Sequence, residues 1–219
     1  MSAHPASQRR GLFASMAAQV AAYLLEPVQE TIEAEPVELE PYPVIAVVSA
    51  APKSGATTVA RLLGAELAAR GDGVAVVTSA AAASRRGGPP ARAALRLATA
   101  LRANADVRPV GRLCVTSASD LGALVKAARY LAPVVLDLPP DGSAARAARI
   151  ADSVAVVAAG SGEPALAAAV ALVLGGEPVK VANRTADPAG WTGRADVLIP
   201  DARIAATAAP LGTRPMGPL

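Results

Sequence analysis

The chain has 219 residues, enough for one α/β domain with a sizeable core and an appendage, but cramped for two full domains. It is 53% hydrophobic and only 2% aromatic, so alanine, valine and leucine must fill the core, which argues against a disordered chain and for helices layered closely on a sheet. The net charge of +3 hides an acidic leader, where Arg9 and Arg10 face Glu26, Glu30, Glu33, Glu35, Glu38 and Glu40, and a basic body.

Between Ser7 and Leu25 the residues Phe13, Met16, Val20 and Leu24 recur at three- and four-residue intervals behind Ser7 as N-cap, which predicts an amphipathic helix. Its apolar run is shorter than the roughly 18 to 20 residues that span a bilayer, and Glu26-Pro27 stands where a secretory cleavage site would need small residues. Only Arg9 and Arg10 would meet anionic lipid, so the expected role is docking on a protein, in cis or in trans, rather than on a membrane. Glu26 to Pro43 mixes glutamates with Pro27, Pro36, Pro41 and Pro43, the composition of an extended linker.

From Val44 onward, short β-branched runs alternate with alanine-rich helical stretches. Strands are expected at Val44–Ser49, Val74–Thr78, Val134–Leu138, Val154–Ala158 and Val179–Ala182, with a further one at Gly111–Thr116. Helices are expected at Thr57–Arg70, Ala91–Ala103, Asp120–Tyr130, Ser143–Ala151 and Pro164–Leu174, and a surface loop at Ala80–Pro90. Strand and helix in regular alternation imply a mostly parallel sheet flanked by helices. The single cysteine, Cys114, excludes an internal disulfide, agrees with a reducing, cytoplasmic compartment and reads as a buried strand residue.

The most informative stretch runs from Val44 to Ala60, where a buried strand passes through Ser49-Ala-Ala-Pro-Lys-Ser-Gly-Ala-Thr-Thr58 into a helix. That order gathers backbone N–H groups and a helix N-terminus at the carboxyl end of a strand, where an anion can bind. Set against the P-loop pattern, Gly55-Ala56-Thr57-Thr58 stands in the place of Gly-Lys-Thr-Thr.

The chain resembles the MinD/ParA family of nucleotide-dependent switch proteins, whose deviant Walker A loop reads Lys-Gly-Gly-x-Gly-Lys-Thr-Thr. Aligned with it, Ala51 and Ala56 replace both lysines, and Pro52 and Lys53 replace two glycines. Asp137-Leu-Pro-Pro-Asp-Gly142 resembles the family's Asp-x-Pro-Pro-Gly segment with one residue more, and Val179-Lys-Val-Ala-Asn183-Arg184 resembles its Val-x-Asn-Arg segment. The resemblance implies a P-loop NTPase-like fold, ATP or ADP with Mg2+ as cofactor, and a dimer as the active form. It assigns nucleotide contacts to Lys53, Ser54, Gly55, Ala56, Thr57 and Thr58, the adenine to Asn183, and Mg2+ to Thr57 and Asp137. A turn role for Asn183 and capping roles for Thr57 and Asp137 stand beside these.

A hydrogen bond to a charged group is worth about 1.5 to 3 kcal/mol, or roughly 10 to 150-fold in affinity, so the loss of two phosphate-facing lysines is expected to cripple nucleotide binding. Hydrolysis is expected to suffer more, because charge stabilisation of the transferring phosphoryl group is its main device. Val74-Ala-Val-Val-Thr-Ser79 offers hydroxyls where the family has a water-positioning aspartate. Lys53 is either an exposed loop lysine or a substitute cation for the β and γ phosphates.

Arg85, Arg86, Arg92, Arg96, Arg102, Arg108 and Arg112 face only Asp106 in their interval. Without interleaved aromatics or a recognition motif they read as a solvated basic face, with non-specific DNA binding as the alternative. The expected organisation is a helical segment at 1–25, a linker at 26–43, the P-loop domain at 44–212 and a tail at 213–219.

Overall fold

A computed structural model describes residues 40–71, 75–79, 88–162, 164–185 and 188–201. The expected N-terminal helix, nearly all of the linker and the C-terminal tail lie outside the described residues. Where the linker enters them, Tyr42 N–H already donates to the Arg129 carbonyl at 2.6 Å, so the chain is fastened before the first strand begins.

The elements are β1 (Val44–Ser49), α1 (Ala56–Arg70), β2 (Ala75–Ser79), α2 (Arg92–Leu101), β3 (Asp106–Val110), β4 (Leu113–Ser117), α3 (Leu121–Ala128), β5 (Val134–Leu138), α4 (Gly142–Ala148), β6 (Ser153–Ala159), α5 (Pro164–Leu174), β7 (Val179–Thr185) and β8 (Val197–Pro200), with a 3-10 turn at Ala189–Trp191. The strands form one eight-stranded sheet in the order β3-β4-β2-β5-β1-β6-β7-β8. Every pairing is parallel except β3 with β4. β1 and β5 lie at its centre and are almost wholly buried, which is why they read as unbroken apolar runs rather than alternating ones.

The two faces are covered differently. On one, α1 lays Ala56, Ala60 and Ala68 over Val47, Leu113, Val115, Val135 and Val157. On the other, α2, α3 and α4 cover Val44, Ala46, Val48, Cys114, Val134 and Leu136, and α5 with Trp191 covers Val156, Ala158 and Ala182. The buried stripe of α1 is Ala56, Ala60, Arg61, Gly64, Ala65 and Ala68, so five of its six members are small. A helix with such a stripe lies close to the sheet, and this is where the alanine excess of the sequence goes.

Two elements differ from expectation. β3 falls where no strand was expected; it is an edge strand, and there the missing N–H of Pro109 costs the ladder nothing on its open side. Gly111, at φ +54, starts the two-residue turn that folds β3 back on β4. β7 was expected to stop at Ala182 and instead continues to Thr185, which puts Asn183 and Arg184 inside the sheet.

Cys114 is fully buried as expected, with its thiol donating to the Ala94 carbonyl at 3.1 Å. Burial pushes its pKa up to about 12, with a hydrogen bond from the Ala98 backbone acting in the opposite direction. A raised folded-state pKa means that the neutral thiol contributes stability below the unfolded value, and that this contribution fades as pH climbs from about 9 towards 12. The native protein should therefore resist a disulfide reagent at pH 8 and react with one equivalent once unfolded in urea, with chemical stability declining above about pH 9.

Candidate phosphate-loop site

β1 stands between β5 and β6, and the chain order diverges on its two sides, so its carboxyl end is the switch point at which open α/β sheets form crevices. Six residues, 50–55, carry the chain from this strand into α1. Lys53 at φ +64 and Gly55 at φ +85 are both left-handed. Glycine takes that conformation freely, whereas for Lys53 it costs roughly 1 to 2 kcal/mol. The position that the family pattern gives to glycine thus keeps a glycine-like backbone while carrying a lysine.

The turn is closed by its own polar groups. Ser54 N–H donates to the Ala51 carbonyl at 3.2 Å. The Ser49 hydroxyl donates to the same carbonyl at 2.6 Å, and the Ser49 and Ser54 hydroxyls lie 2.8 Å apart. Since each hydroxyl has one proton, Ser54 is the donor in that pair, and its oxygen accepts Ala56 N–H at 3.3 Å. A chain of hydrogen bonds therefore runs from the first amide of α1 down to the Ala51 carbonyl, inside the loop.

Two residues of β7 brace the loop from behind. Asn183 Nδ2 donates to the Ser54 carbonyl at 3.0 Å, and Arg184 Nη2 donates to the Lys53 carbonyl at 2.6 Å. Asn183 is 5% exposed, its carboxamide donates to the loop backbone, and it is a strand residue rather than a turn residue. Gly55 sits so close that a Cβ there would stand 2.2 Å from Asn183 Nδ2.

In front of the loop lies a cavity of about 280 Å³, walled by Ser49, 52–57 and 137–140. Lys53, Ser54, Gly55, Ala56, Thr57 and Asp137 all line it; Thr58 and Asn183 do not. Lys53 is exposed, Thr57 and Thr58 are half-buried, and Asp137 is 7% exposed with its N–H donating to the Thr78 hydroxyl at 3.3 Å. No side chain at the Gly55 cap offers an oxygen to α1, and the first turn of the helix holds no acidic residue.

Arg61 is the residue that the sequence does not announce. It lies one turn beyond Thr57 on the buried stripe of α1, is 8% exposed, and its Nε has no hydrogen-bond partner. Burial lowers its pKa below the ordinary arginine value; the charge of Asp137 acts to raise it again and that of Arg108 to lower it further. The legible signal would have been a charged residue in register with Ala60, Gly64 and Ala68. Thr57 and Asp137 line the same cavity, as a Mg2+ site would require. Among the described residues no cluster of three or more His, Cys, Asp or Glu residues offers another metal site.

No protein-family model and no curated protein matches the sequence. Among solved structures, a ParA family ATPase from Chlorobium tepidum TLS superposes with a TM-score of 0.51 at 12% identity, covering 78% of this chain and 88% of that one. The fold is similar to that of a ParA family ATPase. A nucleotide-binding protein from Archaeoglobus fulgidus in complex with ADP superposes more loosely, with a TM-score of 0.45 at 16% identity over 80% of this chain and 89% of that one. At such identities the ParA-like similarity is one of fold, consistent with loops that have diverged.

Gly55→Ala should destabilise the protein by about 2 to 4 kcal/mol, from left-handed strain and the displacement of Asn183. In an Asn183→Ala background the same change should cost only about 1 to 2 kcal/mol, because the clash is gone and the strain remains. Urea unfolding of the four proteins reads both values; equal costs would show that the two residues do not press on each other.

Proposed function

We propose that this chain is a ParA/MinD-like protein that has given up efficient ATP hydrolysis and works in the cytoplasm as a regulatory or scaffold partner in positioning, partition or the assembly of an envelope machine. One observation carries the loss of hydrolysis: Ala56 occupies the phosphate-lysine position in a loop where the Ser54 and Ala56 amides and the Ser49 and Ser54 hydroxyls are already hydrogen-bonded within the turn. An incoming phosphate would have to displace those bonds and would meet no lysine in return. Hydrolysis needs still more positive charge than binding does, and so is lost first.

A protein partner, including a second copy, fits α5. That helix carries no charged residue, and Leu172 and Val173 stand 84% and 76% exposed, the kind of surface that a partner covers. Among the described residues no helix is long and apolar enough to cross a membrane. The competing reading is a live switch in which Lys53, on the cavity wall, replaces the missing lysine.

Calorimetry with ATP and ADP in the presence of Mg2+ separates the two. The expected outcome is no binding in the micromolar range and no hydrolysis above background, in wild type as in Lys53→Ala and Thr57→Ala. Micromolar affinity that Lys53→Ala weakens by 10-fold or more, about 1.4 kcal/mol, would establish the switch instead.

A further inference from the structure

Of the residues of α5 only Ala167 is buried, against the sheet at β6 and β7. The outer stripe of the helix, Ala165, Leu166, Ala168, Ala169, Leu172 and Val173, is exposed along its whole length and holds no polar side chain. Leu172 and Val173 stand out from it as a ridge between two hollows. One, of about 320 Å³, is walled by Ala144 and Ala145 of α4 and by Ala169, Val170 and Val173 of α5, with the end of β1 as its floor. The other, of about 540 Å³, is walled by Ala168, Ala171, Leu172 and Val179, with Glu177, Lys180 and Asp196 beside them. A ridge with a groove next to it is complementary to a second copy of itself, because a two-fold axis lays the ridge of each copy into the groove of the other. Such an axis also brings each group near it against its own copy, where a charge would meet a like charge, and this stripe has none. The apolar surface exposed on the ridge and its flanks amounts to roughly 500 Å² per copy, so a pair would bury about 1,000 Å², the area from which a specific interface is stable.

We infer that α5 is the contact surface of a homodimer, in which the stripes of two copies pack about a two-fold axis with the Leu172–Val173 ridge of each in the groove of the other. A partner of different sequence would find no charged or polar group on this stripe to fix its register, whereas symmetry fixes the register of a self-contact without one. The alanines at 165, 168 and 169 leave the backbone of α5 open to close approach by its copy, as the small stripe of α1 does towards the sheet. The inference rests on the reading of α5 as a partner face and names the partner. It does not depend on the turn, since none of residues 52–57 lines either hollow, and the dimer therefore forms without nucleotide.

Sedimentation equilibrium of the full chain without nucleotide tests it. Wild type should pass from monomer to dimer as its concentration rises through the micromolar range, and Mg-ATP should leave that transition in place. Leu172→Glu and Val173→Glu should each raise the dissociation constant at least roughly 10-fold, because a desolvated carboxylate then meets its own copy. Leu95→Glu, also at an exposed leucine but on α2, should leave it unmoved. Should a glutamate variant not fold, Leu172→Ala removes the ridge without adding charge and should weaken the dimer in the same direction. A chain that stays monomeric up to millimolar concentration overturns the inference and leaves α5 to a different protein. A dimer that the α5 variants preserve lies on another surface and overturns it as well. A dimer that forms only with Mg-ATP overturns it together with the reading of the turn as one that does not serve a nucleotide.

Discussion

The turn from β1 into α1 has to bring a strand out of the centre of the sheet, reverse its direction within six residues and start a helix, all beside buried neighbours. Its Ser54 carbonyl is buried, where an unpaired acceptor costs roughly 1 to 3 kcal/mol, and its Lys53 carbonyl lies at the surface. Arg184 and Asn183 supply the missing donors from β7. That supply is possible only because β7 lies two places from β1 in the sheet order, with β6 between them. Loop conformation therefore depends on strand order, and the left-handed backbone at Lys53 and Gly55 is held by contacts from a residue pair some 130 positions away in sequence.

The same bracing shapes the chemistry. A phosphate-binding turn works by leaving amides unpaired until an anion arrives. Here the Ser54 amide and the first amide of α1 have partners already, and the serine hydroxyls form the relay between them. With Ala56 in the place of the lysine, Lys53 is, among the described residues, the one cation on the cavity wall, and the paired Ser54 and Ala56 amides would have to give up their partners before they could serve a phosphate. Beneath it, α1 can approach the sheet because its stripe is alanine and glycine, and this close approach is what buries Arg61 against the sheet.

Much of this architecture was legible in the sequence, and the failures have physical causes. Val44–Ser49, Val134–Leu138 and Pro164–Leu174 match expectation at both ends, because central strands and long alanine-rich helices carry strong periodic signals. β3 escaped because Pro109 speaks against a strand everywhere except at an edge, and edge position is a property of the assembled sheet. At the site, the sequence identified the loop and the missing lysines, and six of its seven loop and metal residues do line one cavity. It read Asn183 as a turn residue because the strand runs three residues past its last apolar member, and it passed over Arg61 because a charged residue on a helix is ordinarily exposed.

Amide hydrogen exchange across 51–58, with and without millimolar Mg-ATP, reads the state of the turn most directly. A self-braced loop predicts that the Ser54 and Ala56 amides are protected in the free protein and that nucleotide leaves their rates unchanged. Rapid exchange in the free protein that slows by 10-fold or more on adding Mg-ATP would mean that the turn is open and waiting for phosphate, and would contradict the account.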